Sequence, residues 1–232
     1  MNNEILLVLS VIIIYGGVIA GFRFFGEAGL CCFTVLAVVL ANIEVLILIN
    51  AFGMEMTLGN VMFASSFLCT DILSENFGKK AADRAVRIGV AASLFFIAAS
   101  QLWLLYAPSP NDWALGPVRD IFSASPRLVG SSLVVYAVCQ FADVRLYHFI
   151  WKLTGDDEKY LWLRNNGSTL VSQALNTVLF ALLAFGGVYG ADTLVSIIKS
   201  SYVIFIFTSL LDTPAVYIAR RIYIKNQNEK IV

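Results

Sequence analysis

Charge is the scarcest commodity in this chain of 232 residues: Asp, Glu, Lys and Arg make up 14%, against about 25% in soluble domains. A soluble fold of this length needs a polar shell, so this shortage excludes an ordinary water-soluble domain. Histidine occurs once, at position 148, and the four cysteines (Cys31, Cys32, Cys69, Cys139) lie in apolar runs with no CxxC pair. They read as small hydrophobes, and no metal or redox cofactor is expected. Sixteen basic residues balance sixteen acidic ones, so neither a nucleic-acid partner nor a basic membrane-binding tail is indicated. There is no Gly-rich phosphate loop, hence no sign of ATP hydrolysis by the chain itself. No Lys or Arg precedes Arg23, which makes the first apolar run a span and not a signal peptide.

What is present is hydrophobic length. Fifty-nine per cent of the residues are hydrophobic and the mean hydropathy is +0.78. A spanning helix needs about 20 mostly apolar residues. Suitable segments cover 5–22, 29–51, 58–72, 85–106, 128–150, 166–189 and 194–219. The expected fold is therefore all-α, a polytopic transmembrane bundle of about seven spans forming one domain over 1–232. An inverted repeat would be invisible at this level. Lys and Arg gather after the third span (Lys79, Lys80, Arg84, Arg87), the fifth (Lys152, Lys159, Arg164) and the seventh (Arg220, Arg221, Lys225, Lys230). The positive-inside rule makes those ends cytoplasmic, with the N-terminus outside. The loop 107–125 carries Arg119 but is otherwise rich in Pro, Ser and Asp.

A charged side chain at the centre of a membrane helix costs about 2.5 to 3.5 kcal/mol on insertion scales, so polar residues within the spans are the functional candidates. Asp71 and Glu75 are four apart and share a helix face; two carboxylates there need a cation, a proton or a hydrogen-bonding ligand. Alternatively they form the cytoplasmic end of the third span, partnered by Lys79 and Lys80. Tyr136, Gln140, Asp143 and Tyr147 form a polar and aromatic stripe on the fifth span, suited to a cavity wall. Asp143 could instead be neutralised by Arg145 or by an arginine of a neighbouring helix, and His148 reads as a helix-end residue. The sixth span opens on Arg164-Asn165-Asn166-Gly167-Ser168-Thr169 and continues through Ser172, Gln173, Asn176 and Thr177. Packing alone rarely uses so many amides and hydroxyls. Asp212-Thr213-Pro214 combines a carboxylate with a proline that frees a backbone carbonyl inside the last span. Asn42 and Glu44, on the second span, point to different faces.

The runs Thr70-Asp71-Ile72-Leu73-Ser74-Glu75-Asn76-Phe77-Gly78-Lys79-Lys80 and Trp162-Leu163-Arg164-Asn165-Asn166-Gly167-Ser168-Thr169 are long and unusual. With the Asn42 to Gly53 spacing, Gln140-x-x-Asp143 and His148, Ser172-Gln173 and Asp212-Thr213-Pro214, they resemble the queuosine precursor transporter family across about residues 35–220. The resemblance implies a six-span core preceded by an extra N-terminal helix. It also implies uptake of the deazaguanine bases preQ0, preQ1 or queuine across the cytoplasmic membrane, by a secondary carrier or facilitator and not an enzyme.

The partner is then a nucleobase-like small molecule within membrane lipid, and a homodimer suits a carrier this small. One edge of a deazaguanine offers a ring N–H and an amine to a carboxylate, its carbonyl takes a donor, and its flat ring stacks on aromatics. The expected binding residues are Asn42, Asp71, Gln140, Asp143, Arg164, Gln173, Asn176 and Asp212. Two positions depart from the family pattern: Asn176 stands where an aspartate is expected, and Phe205 where a lysine is. Two other functions compatible with the residues are a substrate-binding subunit that borrows a separate ATPase, and an intramembrane enzyme using paired carboxylates. The second lacks a visible nucleophile with its base.

Overall fold

The computed structural model describes residues 2–123, 126–155 and 158–229. Lys230 and the last two positions of the 107–125 loop fall outside them.

Helix α1 runs Asn3–Glu44. A straight helix of that length would reach about 63 Å. Instead it folds back at Gly26, whose φ of 59° and ψ of −135° break the helical path at a conformation that only glycine adopts without penalty. Its arms, 3–25 and 27–44, lie against each other through Gly21 and Gly29, with so little space that a Cβ at Gly29 would collide with the Gly21 carbonyl. The reversal brings Asn3 Nδ2 to within 2.8 Å of the Asn50 carbonyl it donates to. One helical element thus supplies two passes.

The second apolar run departs from its sequence reading. It was expected to stay helical over 29–51, but the helix ends at Glu44 and the chain enters a hairpin, β1 (Leu48–Ala51) and β2 (Met54–Thr57), with Ala51 opposite Met54. Phe52 and Gly53, both at positive φ, make the two-residue turn that matches strand twist. The run Val45-Leu46-Ile47-Leu48-Ile49 is continuously apolar, a pattern that suits a short strand as well as a helix.

Helix α2 (Gly59–Phe77) is the hub of the bundle. Almost every residue from Val61 to Asn76 is buried, including Ser65, Ser66, Thr70, Asp71, Ser74 and Glu75. It therefore extends five residues beyond the apolar stretch 58–72, because its polar last turns face protein and not lipid. Gly78 (φ 81°) ends it, donating its N–H to Ser74 O at 3.1 Å, and α3 (Lys79–Trp103) starts at once. Short α4 (Leu115–Phe122) sits in the following loop. The remaining helices are α5 (Pro126–Thr154), α6 (Leu161–Phe185) and α7 (Ala191–Glu229), with a single 3₁₀ turn at Glu158–Tyr160 before α6.

Five of the helices are long and apolar enough to cross a membrane, α1 among them. The fold-back divides α1 into two antiparallel arms, and α2 lies at the centre of the bundle. Ile12, Phe95, Val134 and Phe207 remain exposed on its outer faces, as expected where lipid is the solvent. At one end lie the hairpin, α4 and the Gly186–Gly190 turn; at the other lie Arg23, Lys79, Lys80, Arg84, Lys152 and Arg221. These are called below the hairpin end and the basic end. At the hairpin end Arg127 donates to the carbonyls of Leu183 and Gly186 at 2.6 and 2.5 Å, so a cation closes the C-terminus of α6.

Candidate functional site

Helices α2, α5 and α7 run in one direction and α6 in the other, and their polar residues fall into layers. The outermost layer is a small cavity of about 80 Å³ at the hairpin end, lined by Asn60, Phe63, Ser132, Asn176, Thr177 and Phe205, among others. The two positions that depart from the family pattern, Asn176 and Phe205, line this same cavity.

Its floor is aromatic. Phe63 lies with ring centroids 5.4 Å from Phe67, 6.1 Å from Tyr136 and 6.2 Å from Phe205, in tilted or edge arrangements that aromatic pairs prefer. Tyr136 fits because residue 89 of α3 is glycine: a Cβ there would strike the tyrosine hydroxyl.

Two turns beyond Phe63, about 12 Å along α2, is a layer of carboxyl groups. Asp71 of α2, Asp143 of α5 and Asp212 of α7 have no solvent exposure. Thr169 donates to Asp71 Oδ2 at 3.1 Å and Ser172 to Asp143 Oδ1 at 2.6 Å. The Asp71 and Asp143 carboxyls adjoin one another, and Asp212 is close enough to act electrostatically on both. Several polar atoms of this layer stay unpaired. Asp71 Oδ1, Asp143 Oδ2, both oxygens of Asp212 and both amide atoms of Gln173 and Asn165 have no hydrogen-bond partner. Buried polar groups are normally satisfied, and each left unpaired costs about 1 to 3 kcal/mol. These unpaired groups are contributed by four helices, α2, α5, α6 and α7.

One turn further, at the basic end, the pattern reverses. Glu75 is fully engaged: Arg164 donates to both of its oxygens at 2.9 to 3.2 Å, Tyr147 donates at 2.6 Å, and Arg220 closes on Oε1. The Arg164 guanidinium also lies 4.6 Å over the Trp151 ring and reaches Gly155 O at 3.2 Å. His148 stacks on the same Trp151, nearly parallel. Four helices are tied through this one carboxylate. Lys79 and Lys80, considered from sequence as its partners, are not the residues that meet it. Nor does Arg145 reach Asp143; it donates to Phe141 O on its own helix.

Of the residues expected to bind, the fold thus brings Asp71, Asp143, Asp212 and Gln173 into one layer and sets Asn176 on the cavity wall. Arg164 belongs to the Glu75 cluster. Gln140 bridges helices, donating to Ser66 at 2.7 Å and accepting from Thr70 at 3.1 Å. Asn42 accepts from Ser132 at 3.2 Å near the hairpin end, away from the carboxyl layer. Asn166 holds α6 to the Pro214 region of α7, donating to Thr213 at 2.6 Å and accepting from Ser209 at 3.0 Å. Sequence reasoning gave no role to the first span, yet its Tyr15 donates to Thr208 O at 3.3 Å and lies beside Asp212. A lone tyrosine within Val11-Ile12-Ile13-Ile14-Tyr15 was the available signal.

Membrane-spanning helices around a buried polar layer, with a small cavity at one end, are compatible with a membrane transporter. The sequence model of the family described as "Putative vitamin uptake transporter" matches residues 57–219, and the chain belongs to that family. A Bacillus subtilis (strain 168) protein named "Probable queuosine precursor transporter" is 35% identical over 221 residues, 95% of this chain and 96% of its own. The family match begins after the α1 hairpin, whereas the relative aligns with most of α1 as well. No solved structure matches the chain. The protein is therefore a multi-pass membrane transport protein and not an enzyme.

Proposed function

We propose that the protein takes up deazaguanine precursors of queuosine (preQ0, preQ1 or queuine) as a secondary carrier or facilitator working by alternating access. The observation that carries this reading is the layer of unpartnered carboxyl and amide groups at Asp71, Asp143, Gln173 and Asp212. A deazaguanine needs an acceptor for its ring N–H and exocyclic amine and a donor for its carbonyl. One carboxylate serves the first edge in a bidentate manner and an amide such as Gln173 the second. Phe63 and Phe205 offer ring faces on the way in, and Asn176 a polar contact at the cavity wall. The name of the 35% identical relative supports the same substrate class.

In this reading the N-terminus and hairpin end face outward and the basic end is cytoplasmic, in keeping with the positive-inside rule. The structure then corresponds to a state closed towards the cytoplasm, with Glu75, Arg164, Arg220 and Tyr147 as the inner gate and the aromatic floor as the outer one. Release requires the Glu75 cluster to open while the floor closes. The test is a queuosine-auxotrophic cell lacking its own carrier, supplied with each precursor at nanomolar concentration. Expression of the chain is expected to restore tRNA modification; unchanged tRNA would remove the proposal.

A further inference from the structure

The carboxyl layer has a charge problem that deazaguanine edge recognition alone does not solve. Asp71, Asp143 and Asp212 are fully buried, and the donors that reach Asp71 and Asp143 are the neutral hydroxyls of Thr169 and Ser172. The buried arginine nearest in the layered order, Arg164, is spent on Glu75 together with Arg220. Asp212 has no partner on either oxygen, although Tyr15 lies beside it. Gln173 is independently informative. It is fully buried, both of its amide atoms lack partners, and it follows Thr169 by one turn on the α6 face that meets Asp71. Among the described residues no group of three His, Cys, Asp or Glu side chains is arranged to hold a metal ion, so a ligated divalent cation is not the natural occupant.

Resting on the reading just given, we infer that the site selects deazaguanines carrying a protonated amine, with Asp212 receiving the ammonium while Asp71, Asp143 and Gln173 take the ring edge. An alkylammonium offers three donors without the directional demand of a planar group, which suits a carboxyl group whose two oxygens are both open. A neutral arm, such as a nitrile, would leave Asp212 buried and unanswered.

The experiment is binding to the purified full-length chain of two ring-identical deazaguanines, one with an aminomethyl arm and one with a nitrile, by thermal stabilisation or calorimetry at neutral pH. The amine is expected to bind at least about tenfold more tightly, since removing one partner of a buried charge pair costs that much or more. Asp212→Asn should weaken the amine at least about tenfold and the nitrile by less, narrowing the ratio. Equal affinity of the two ligands for the unaltered protein, or equal losses in the variant, would overturn the inference while leaving deazaguanine transport standing. Failure of both ligands to bind would overturn the two together. Stabilisation by sodium ions that competes with the amine would also overturn it, by making an inorganic cation the occupant. Should Asp212→Asn fail to fold, the ratio in the unaltered protein and Asp212→Glu, which should keep the preference, decide the matter.

Discussion

Asp71 and Glu75 sit one turn apart on the same buried face of α2, yet they live in opposite chemical settings. Glu75 accepts from two arginines and a tyrosine; Asp71 accepts from one threonine and leaves an oxygen open. Burying an ion is tolerable when its partners are complete and wasteful when they are not. A protein that completes one carboxylate and leaves its neighbours incomplete has separated a tie from a site. The first holds four helices together; the second, under the proposed function, receives the ligand. The same contrast divides two glutamines: Gln140 has both amide atoms engaged, and Gln173 has neither.

Mutations can break this contrast in a graded way. The largest effect is expected from Arg164→Met, which leaves Glu75 short of its main partner and should destabilise the protein by about 3 to 5 kcal/mol, read as a large fall in melting temperature in detergent. If Arg164→Met were neutral, Glu75 would not be the tie. Next comes Gln140→Leu, which strands Ser66 and Thr70 and should cost about 1 to 3 kcal/mol by the same measurement. Gln173→Leu removes an amide that has no protein partner, so its stability should stay within about 1 kcal/mol of the original, while uptake falls at least about tenfold. Smallest in stability is Asp143→Asn: it takes away one of two adjoining buried carboxylates, should leave the melting temperature unchanged or raised, and should still abolish uptake. A matching loss of stability in the last two variants would erase the distinction between tie and site.

Much of this was readable from residues. The long apolar runs gave the passes, and the basic clusters gave the shared end of α2, α5 and α7. The periodicity of Asp71 with Glu75, of Gln140 with Asp143, and of Thr169 with Gln173 marked the helix faces that meet. Partnership was not readable, because it depends on which helices touch. Arg164 precedes a run of amides and looked like part of their site, yet α6 runs opposite to α5, which places its first turn beside the last turn of α2. Arg220 lies 145 positions from Glu75 and carried no mark beyond its place in a basic tail. Tyr15 was hidden for the same reason: only the fold-back at Gly26 and the packing of α1 against α7 set it beside Asp212. The helical reading of 45–51 failed because an apolar run does not by itself tell a helix from a short strand.

By itself the sequence determined that this chain lives in a membrane and which few polar residues lie inside its apolar runs. Solvent explains why: a bilayer tolerates apolar length and penalises each buried charge, so both leave a legible mark. Which of those polar residues are answered within the protein and which are left open was decided only by tertiary structure, since hydrogen bonds act over about 3 Å and the order of residues along a chain does not fix which of them come that close.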